Sequence, residues 1–122
     1  MILKINIYRG LFTGSTRSET AQTLIMLEKD IVAAIMRHLK TRSECFAYKT
    51  HGGMYGTAGL PDIVCCYRGC FVGLEVKQPG KTLTVLQGKT ITKINAAGGI
   101  AAKVTSVEEV KTLLAGIGGD SI

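Results

Sequence analysis

Three side chains in the middle of the chain have the types and spacing for phosphate chemistry: Asp62, Glu75 and Lys77. Asp62 closes the stretch Gly59-Leu60-Pro61-Asp62, and Glu75-Val76-Lys77 follows thirteen residues after the aspartate. Between them lie two apolar runs, Ile63 to Tyr67 and Cys70 to Leu74, on either side of Arg68-Gly69. Short apolar runs around a glycine-containing dipeptide predict two strands joined by a hairpin. With a two-residue loop at 68–69, paired positions sum to 137, so Tyr67 faces Cys70, Val64 faces Gly73 and Asp62 faces Glu75. Directly opposed carboxylates repel. A divalent cation between them reverses the sign of that interaction. Lys77, two residues beyond Glu75, projects from the same strand face. Two acids and an amine on one face beside a buried sheet suit metal-dependent hydrolysis of a phosphodiester.

Plainer roles compete with this one. Asp62 could serve only as a turn residue after Pro61. Glu75 and Lys77 could form an ion pair on an exposed strand face. Asn-Gly fits a type I′ turn better than Arg-Gly does, and a longer loop with Gly69 as a bulge would shift the pairing by one residue. Glu75 argues against the plainer roles, because Leu74 and Val76 flank it in an apolar run and a charge there needs a partner.

The elements that must position these residues follow from local signals. Thr16-Arg17-Ser18-Glu19 matches a capping box, which predicts a helix from near Thr16 to about Lys40 with an apolar stripe of Leu24, Leu27, Ile31, Ile35 and Leu39. Glu28 falls on or beside that stripe. It is either a boundary residue reaching water or a carboxylate aimed at the Asp62–Glu75 pair. Cys45 to Lys49 reads as a first strand. The loop from His51 to Gly59 holds four glycines at 52, 53, 56 and 59, the mark of mobility or of close backbone approach to a ligand. It lacks the phosphate-binding G-x-x-x-x-G-K-[ST] pattern. Lys49 and His51 are positioned to touch phosphates, while Tyr55 reads as an ordinary loop residue. Thr84-Val85-Leu86-Gln87 is a second capping box, opening a helix that ends at Gly98-Gly99. Gln87 thus has a capping role whatever else it does. Lys89 and Lys93 share one face of that helix, four residues apart. Ile100 to Thr105 reads as the last strand, and Ser106-Val107-Glu108-Glu109, a third capping box, opens a final helix that Gly116 ends. The predicted order is α-β-β-β-α-β-α, a mixed sheet flanked by helices.

Composition bounds the function. A 122-residue chain with 46% apolar and 20% charged residues is one globular domain with a real core. No apolar run reaches the ~18 residues of a membrane span, and the first residues lack the pattern of a signal peptide. An intracellular, cytoplasmic protein with no membrane partner is the expectation. Lys plus Arg number 15 against 9 Asp plus Glu, a formal charge of +6, which points to a polyanion, with nucleic acid first. Lys81, Lys89 and Lys93 follow closely after the candidate site. The four cysteines, Cys45, Cys65, Cys66 and Cys70, contain no C-x-x-C pair, so buried reduced thiols are expected rather than a zinc site or disulfides.

Taken together, Pro61-Asp62, Glu75-x-Lys77, the hairpin at Tyr67-Arg68-Gly69, Leu83-Thr84-x-Leu86-Gln87, Ala97-Gly98-Gly99 and Val104 to Glu109, in that order, resemble the VRR-NUC family of the PD-(D/E)XK nuclease superfamily. The resemblance covers roughly residues 26–114. It implies an α/β, restriction-endonuclease-like αβββαβ core. It divides the chain into a peripheral segment, 1–25, a nuclease domain, 26–116, and a tail, 117–122. Carried onto this chain, it implies that Asp62, Glu75 and the Val76 carbonyl bind Mg²⁺ or Mn²⁺, with Glu28 joining directly or through water. It implies that Lys77 activates water or stabilises developing charge, and that Gln87 completes the site. The implied activity is a metal-dependent endodeoxyribonuclease without an organic cofactor, foremost a homodimeric Holliday-junction resolvase acting on branched DNA. A phage-encoded protein in a bacterial host fits a small stand-alone nuclease. The alternatives are a flap endonuclease, a nickase, a restriction-type enzyme, or a nuclease-fold protein that only binds DNA.

Overall fold

A computed structural model describes residues 26–50 and 57–118. The element order is α1 (Glu28–Lys40), β1 (Cys45–Lys49), β2 (Ile63–Tyr67), β3 (Cys70–Val76), α2 (Val85–Ala96), β4 (Ile100–Val104) and α3 (Val107–Ala115). The four strands form one sheet in the order β1-β2-β3-β4. β1–β2 and β2–β3 are antiparallel, and β3–β4 is parallel, because α2 carries the chain across before β4. The expected order and mixed sheet are observed.

The hairpin has the two-residue loop. Tyr67 pairs with Cys70, Val64 with Gly73 and Ile63 with Leu74. Arg68 has φ 52° and Gly69 has φ 82°, so both loop residues are left-handed, as a type I′ turn requires. Arg68 accepts that conformation with help from its surroundings. Its N–H donates to the Glu44 carbonyl, its guanidinium lies 3.7 Å from the Glu44 carboxylate, and it sits 5.9 Å from the Tyr67 ring centroid.

Strand alternation sends side chains to two unlike faces. On one face Ile63, Cys65, Tyr67, Val72, Leu74, Val76 and Val104 pack with Ile31, Ile35 and Leu39 of α1 and Val110 and Leu114 of α3. These helices lay their apolar stripes on the sheet at helical spacing. Acidic residues in the first turn of α1 (Glu28, Asp30) and basic ones in its last (Arg37, His38, Lys40) complement the helix dipole. On the other face α2 crosses β3 and β4. Asn95 fastens its end by exchanging two hydrogen bonds with the Ala101 backbone, 2.9 and 3.1 Å.

Three expectations need correction. The long first helix is not continuous: Leu27 is extended (φ −73°, ψ 152°) and α1 starts at Glu28. Leu27 is accordingly 54% exposed rather than part of the buried stripe. The Met26 carbonyl, just before it, is held instead by the Gln78 side-chain amide at 2.8 Å. Thr16-Arg17-Ser18-Glu19, Leu24, His51 and Tyr55 lie outside the described residues. Of the cysteines only Cys65 is fully buried, its thiol pushed up to about 12 by burial, while Cys66 projects from the open face and is exposed. All four are free thiols. The Ser106 cap is one-sided: its hydroxyl accepts from the Glu109 N–H, but the Glu109 carboxylate takes the N–H of Thr105.

At Gly73 α2, the sheet and the site approach one another closely. A Cβ there would stand 2.9 Å from Pro61 Cγ and 3.3 Å from Ile94 Cδ1. The proline ring cannot swing away as a long side chain would. Gly73→Ala is therefore expected to destabilise the fold by about 1–3 kcal/mol, the usual range for overpacking, read from chemical denaturation. A wild-type midpoint would show that Pro61 is not held in place by the sheet.

Candidate active site

The register that closes the hairpin also opposes the two carboxylates. Ile63 pairs with Leu74, so the next position outward sets Asp62 against Glu75. The β1–β2 ladder continues to the same point. The Thr50 N–H donates to the Asp62 carbonyl at 2.9 Å, and its hydroxyl donates to the Pro61 carbonyl at 2.6 Å. Pro61 and Asp62 are thus clamped by β1 on one side. On the other, the Val76 N–H donates to Asp62 Oδ2 at 2.8 Å. A strand residue directs its N–H and C=O to the same edge. The Val76 carbonyl therefore faces the Asp62 side, where sequence reasoning wanted a third oxygen.

Glu75 is only 3% exposed, the one buried charged side chain among the described residues. Burial pushes its carboxyl up to about 8. The Asp62 carboxyl adds to the rise, Lys77 pulls against it, and Glu28 adds a smaller push. Glu75 Oε2 accepts a hydrogen bond from Gln87 Nε2 at 2.9 Å. Gln87 Oε1 meanwhile accepts from the Thr84 N–H, and the Thr84 hydroxyl accepts from the Gln87 N–H. One side chain caps α2 and orients the buried acid at once, so the two roles considered for Gln87 do not exclude each other. Lys77 continues β3, its N–H donating to the Val104 carbonyl at 3.0 Å.

The remaining candidates fall at different distances from this centre. Glu28 is exposed at the start of α1, rather than lying on the buried stripe. It lines a surface cleft of about 390 Å³ together with Asp62, Thr50, Lys49 and Lys29. Among the described residues no three His, Cys, Asp or Glu side chains are grouped closely enough to hold a metal ion by themselves. Lys81, Lys89 and Lys93 are exposed, and the Lys81 carbonyl accepts a hydrogen bond from Lys103 Nζ. Sequence reasoning passed over Thr50 and Lys29. Thr50 could have been found only from the β1–β2 register, which the long connection from Lys49 to Ile63 leaves open in the sequence.

The comparisons agree with this architecture. A solved structure described as a VRR_NUC domain has a TM-score of 0.62 to this chain at 18% identity, covering 75% of this chain and 97% of that one. A VRR_NUC domain protein has a TM-score of 0.61 at 17% identity, covering 75% and 87%. No protein-family model matches the chain, and no curated protein matches it. The likeness establishes the fold, a four-stranded mixed sheet flanked by helices. It agrees with the resemblance carried by Pro61-Asp62 and Glu75-x-Lys77.

The buried acid makes a pH signature. Its carboxyl titrates near 4.5 in the unfolded chain and at about 8 in the folded one. Between those values the folded state holds the extra proton, so unfolding free energy falls as pH rises and levels off above about 8. Denaturation midpoints measured in EDTA are expected to drop between pH 5 and pH 8.5, and Glu75→Gln is expected to flatten the slope. An unchanged slope in that variant would place the titrating group elsewhere.

Proposed function

We propose that this protein is a divalent-metal-dependent endodeoxyribonuclease that hydrolyses DNA phosphodiester bonds. The observation that carries the reading is the opposed Asp62–Glu75 pair, held by the Val76 N–H and the Gln87 amide with Lys77 beside it. The donor set fits Mg²⁺ or Mn²⁺: two carboxylates and a carbonyl are hard oxygen ligands, with water and the more distant Glu28 to complete them. A buried carboxylate facing a second one is also costly without a cation. Bound there, the metal would supply Lewis acidity toward the phosphate and lower the pKa of a water. Asp62 and Glu75 hold the cation, and Gln87 keeps Glu75 in the coordinating orientation. Lys77 sets an ammonium beside the phosphate, where it orients the attacking water or offsets the charge that grows on the phosphoryl oxygens. Lys49 and the exposed Lys81, Lys89 and Lys93 contact neighbouring phosphates. His51 is assigned to the same task from the sequence.

Four-way junctions are the substrate we favour, cut by a homodimer that brings two sites to two strands. An apolar face that no described element covers supports association. α2 has no fully buried side chain. Beside it Phe46 is 70%, Tyr48 49% and Phe71 48% exposed, and Val85 at the start of α2 is 77% exposed. Phe46, Cys66 and Phe71 form one cross-strand row on that face. Large uncovered apolar patches mark contact surfaces.

Labelled four-way junction, flap, linear duplex and single-stranded DNA, each with Mg²⁺, Mn²⁺ or EDTA, test the chemistry. Paired symmetric cuts in the junction are expected, absent in EDTA and in Glu75→Ala. Lys77→Ala is expected to lose about 10²–10³ in rate, the scale of one electrostatic contact in a transition state. Cutting of flaps or duplex instead would keep the chemistry and remove the junction. Binding without cutting would leave a DNA-binding protein.

Light scattering tests the association separately. The wild type is expected at twice the 13.0 kDa chain mass, and Phe46→Asp with Phe71→Asp at the chain mass. Wild type at 13.0 kDa would remove the dimer.

A further inference from the structure

A groove runs along the side of the molecule between α1 and β1, about 550 Å³ in volume. Arg37, Lys40 and Lys49 line it, with Ala33 and Met36 as its apolar floor. Among the described residues no Asp or Glu lines it. Lys49 also lines the cleft that holds Asp62, so the groove and the cleft share a wall. Lys29, at the far side of that cleft, stands on the same stripe of α1 as Ala33, Arg37 and Lys40, at steps of four, four and three residues. At 1.5 Å per residue the stripe is about 16 Å long, the rise of about five nucleotides along one strand of B-form DNA.

The opposite wall is a sheet edge. β1 pairs only with β2 among the described strands. Thr50 and Glu44 exchange hydrogen bonds toward β2, through Thr50 N–H to Asp62 O and Arg68 N–H to Glu44 O. Backbone direction alternates along an antiparallel strand. The N–H groups of Ala47 and Lys49 therefore point away from β2, toward the groove. Anions bind well where backbone donors and cationic side chains converge. The cations are also available. Among the described residues the ion pairs are Arg42–Glu44 and Arg68–Glu44, so neither Arg37 nor any lysine of the groove is neutralised by a partner.

We propose that this groove is a phosphate track, in which Arg37, Lys40 and Lys49 bind the sugar–phosphate backbone of the DNA strand that enters the Asp62–Glu75 cleft. The assignment rests on the nuclease reading and adds to it a direction of approach and two residues, Arg37 and Lys40, remote from the chemistry. A track of this kind recognises backbone charge without reading sequence. It raises affinity for strands long enough to fill it and leaves the chemical step alone.

The test compares wild type, Arg37→Gln with Lys40→Gln, and Lys111→Gln, which removes a charge from α3 outside the groove. Binding of a fluorescein-labelled four-way junction and a 20-nucleotide single strand is followed by anisotropy across a salt series, and cleavage in Mg²⁺ at saturating DNA is measured beside it. The double variant is expected to bind about tenfold more weakly, with a log–log salt slope shallower by about 1.4–1.8, the share of two phosphate contacts. Its saturated cleavage rate is expected within about twofold of wild type, since the track adds only uniform binding. Lys111→Gln is expected to match wild type. Unchanged affinity and slope in the double variant, an equal loss per charge in Lys111→Gln, or a loss confined to the saturated rate would each overturn the track while wild-type cutting leaves the nuclease reading standing. A wild type that neither binds nor cuts DNA would overturn both.

Discussion

Register in the β2–β3 hairpin is the constraint on which both the core and the carboxylate pair depend. Side chains alternate with a period of two, so a slip of one residue moves every side chain to the opposite face. A slip here would turn Val72, Leu74 and Val76 out of the core and drive Glu75 into it. The apolar core therefore enforces the register that opposes Asp62 and Glu75, although those two groups repel. The turn enforces the same register independently, with Arg68 and Gly69 both left-handed. Neither device could be relaxed to relieve the carboxylates without unpacking the sheet.

Glu75 illustrates how a fold tolerates a locally unfavourable arrangement. Burial and the facing acid both hold its carboxyl toward the protonated form. Net stability of a domain is only about 5–15 kcal/mol, so such a group persists because its surroundings leave it nowhere to go. Leu74 and Val76 on either side are fully buried on the other face, and the Gln87 amide meets the acid from above the sheet. Gln87 is itself fixed by its reciprocal bonds with Thr84. Rigidity in the first turn of α2 is thereby transmitted to the carboxylate through one amide. A polar network of this kind orients a group more closely than any single contact would.

Much of this was legible in the sequence, for a physical reason. Hairpin pairing, the Thr84 cap and the end of α2 near Gly98 are set by residues within a few positions of one another. The Asp62–Glu75 opposition follows from a loop length and a parity. What was not legible depended on long-range contact. The break before α1 is not marked by a capping side chain; Leu27 is a good helix former, and the residue next to it is captured by Gln78, fifty-two positions away. Glu28 fitted the apolar stripe by periodicity, yet a residue in the first turn of a helix can face solvent whatever its phase. Cys66 and Phe46 look like core residues in composition. Their exposure follows only from α2 crossing the β3–β4 side of the open face, so that among the described residues no element covers the β1–β2 side.

Charge placement links the fold to its proposed partner more closely than net charge does. Among the described residues the acids have local tasks. Glu28 and Asp30 sit in the first turn of α1, Glu108 and Glu109 in that of α3, Glu44 holds the two arginines at the hairpin, and Asp62 and Glu75 oppose each other at the candidate site. α2 has no acid in its first turn and carries only lysines as charged residues. The lysines therefore stand without counter-ions on the helix surfaces that flank the carboxylate pair, on α1 to one side and α2 to the other. A buried acidic centre between basic banks repels a free polyanion less than the same centre would alone. In the proposed nuclease such a centre would attract a phosphate backbone at the banks and accept it at the centre only with a cation bound there. Metal occupancy and substrate binding would then be linked through electrostatics, each favouring the other.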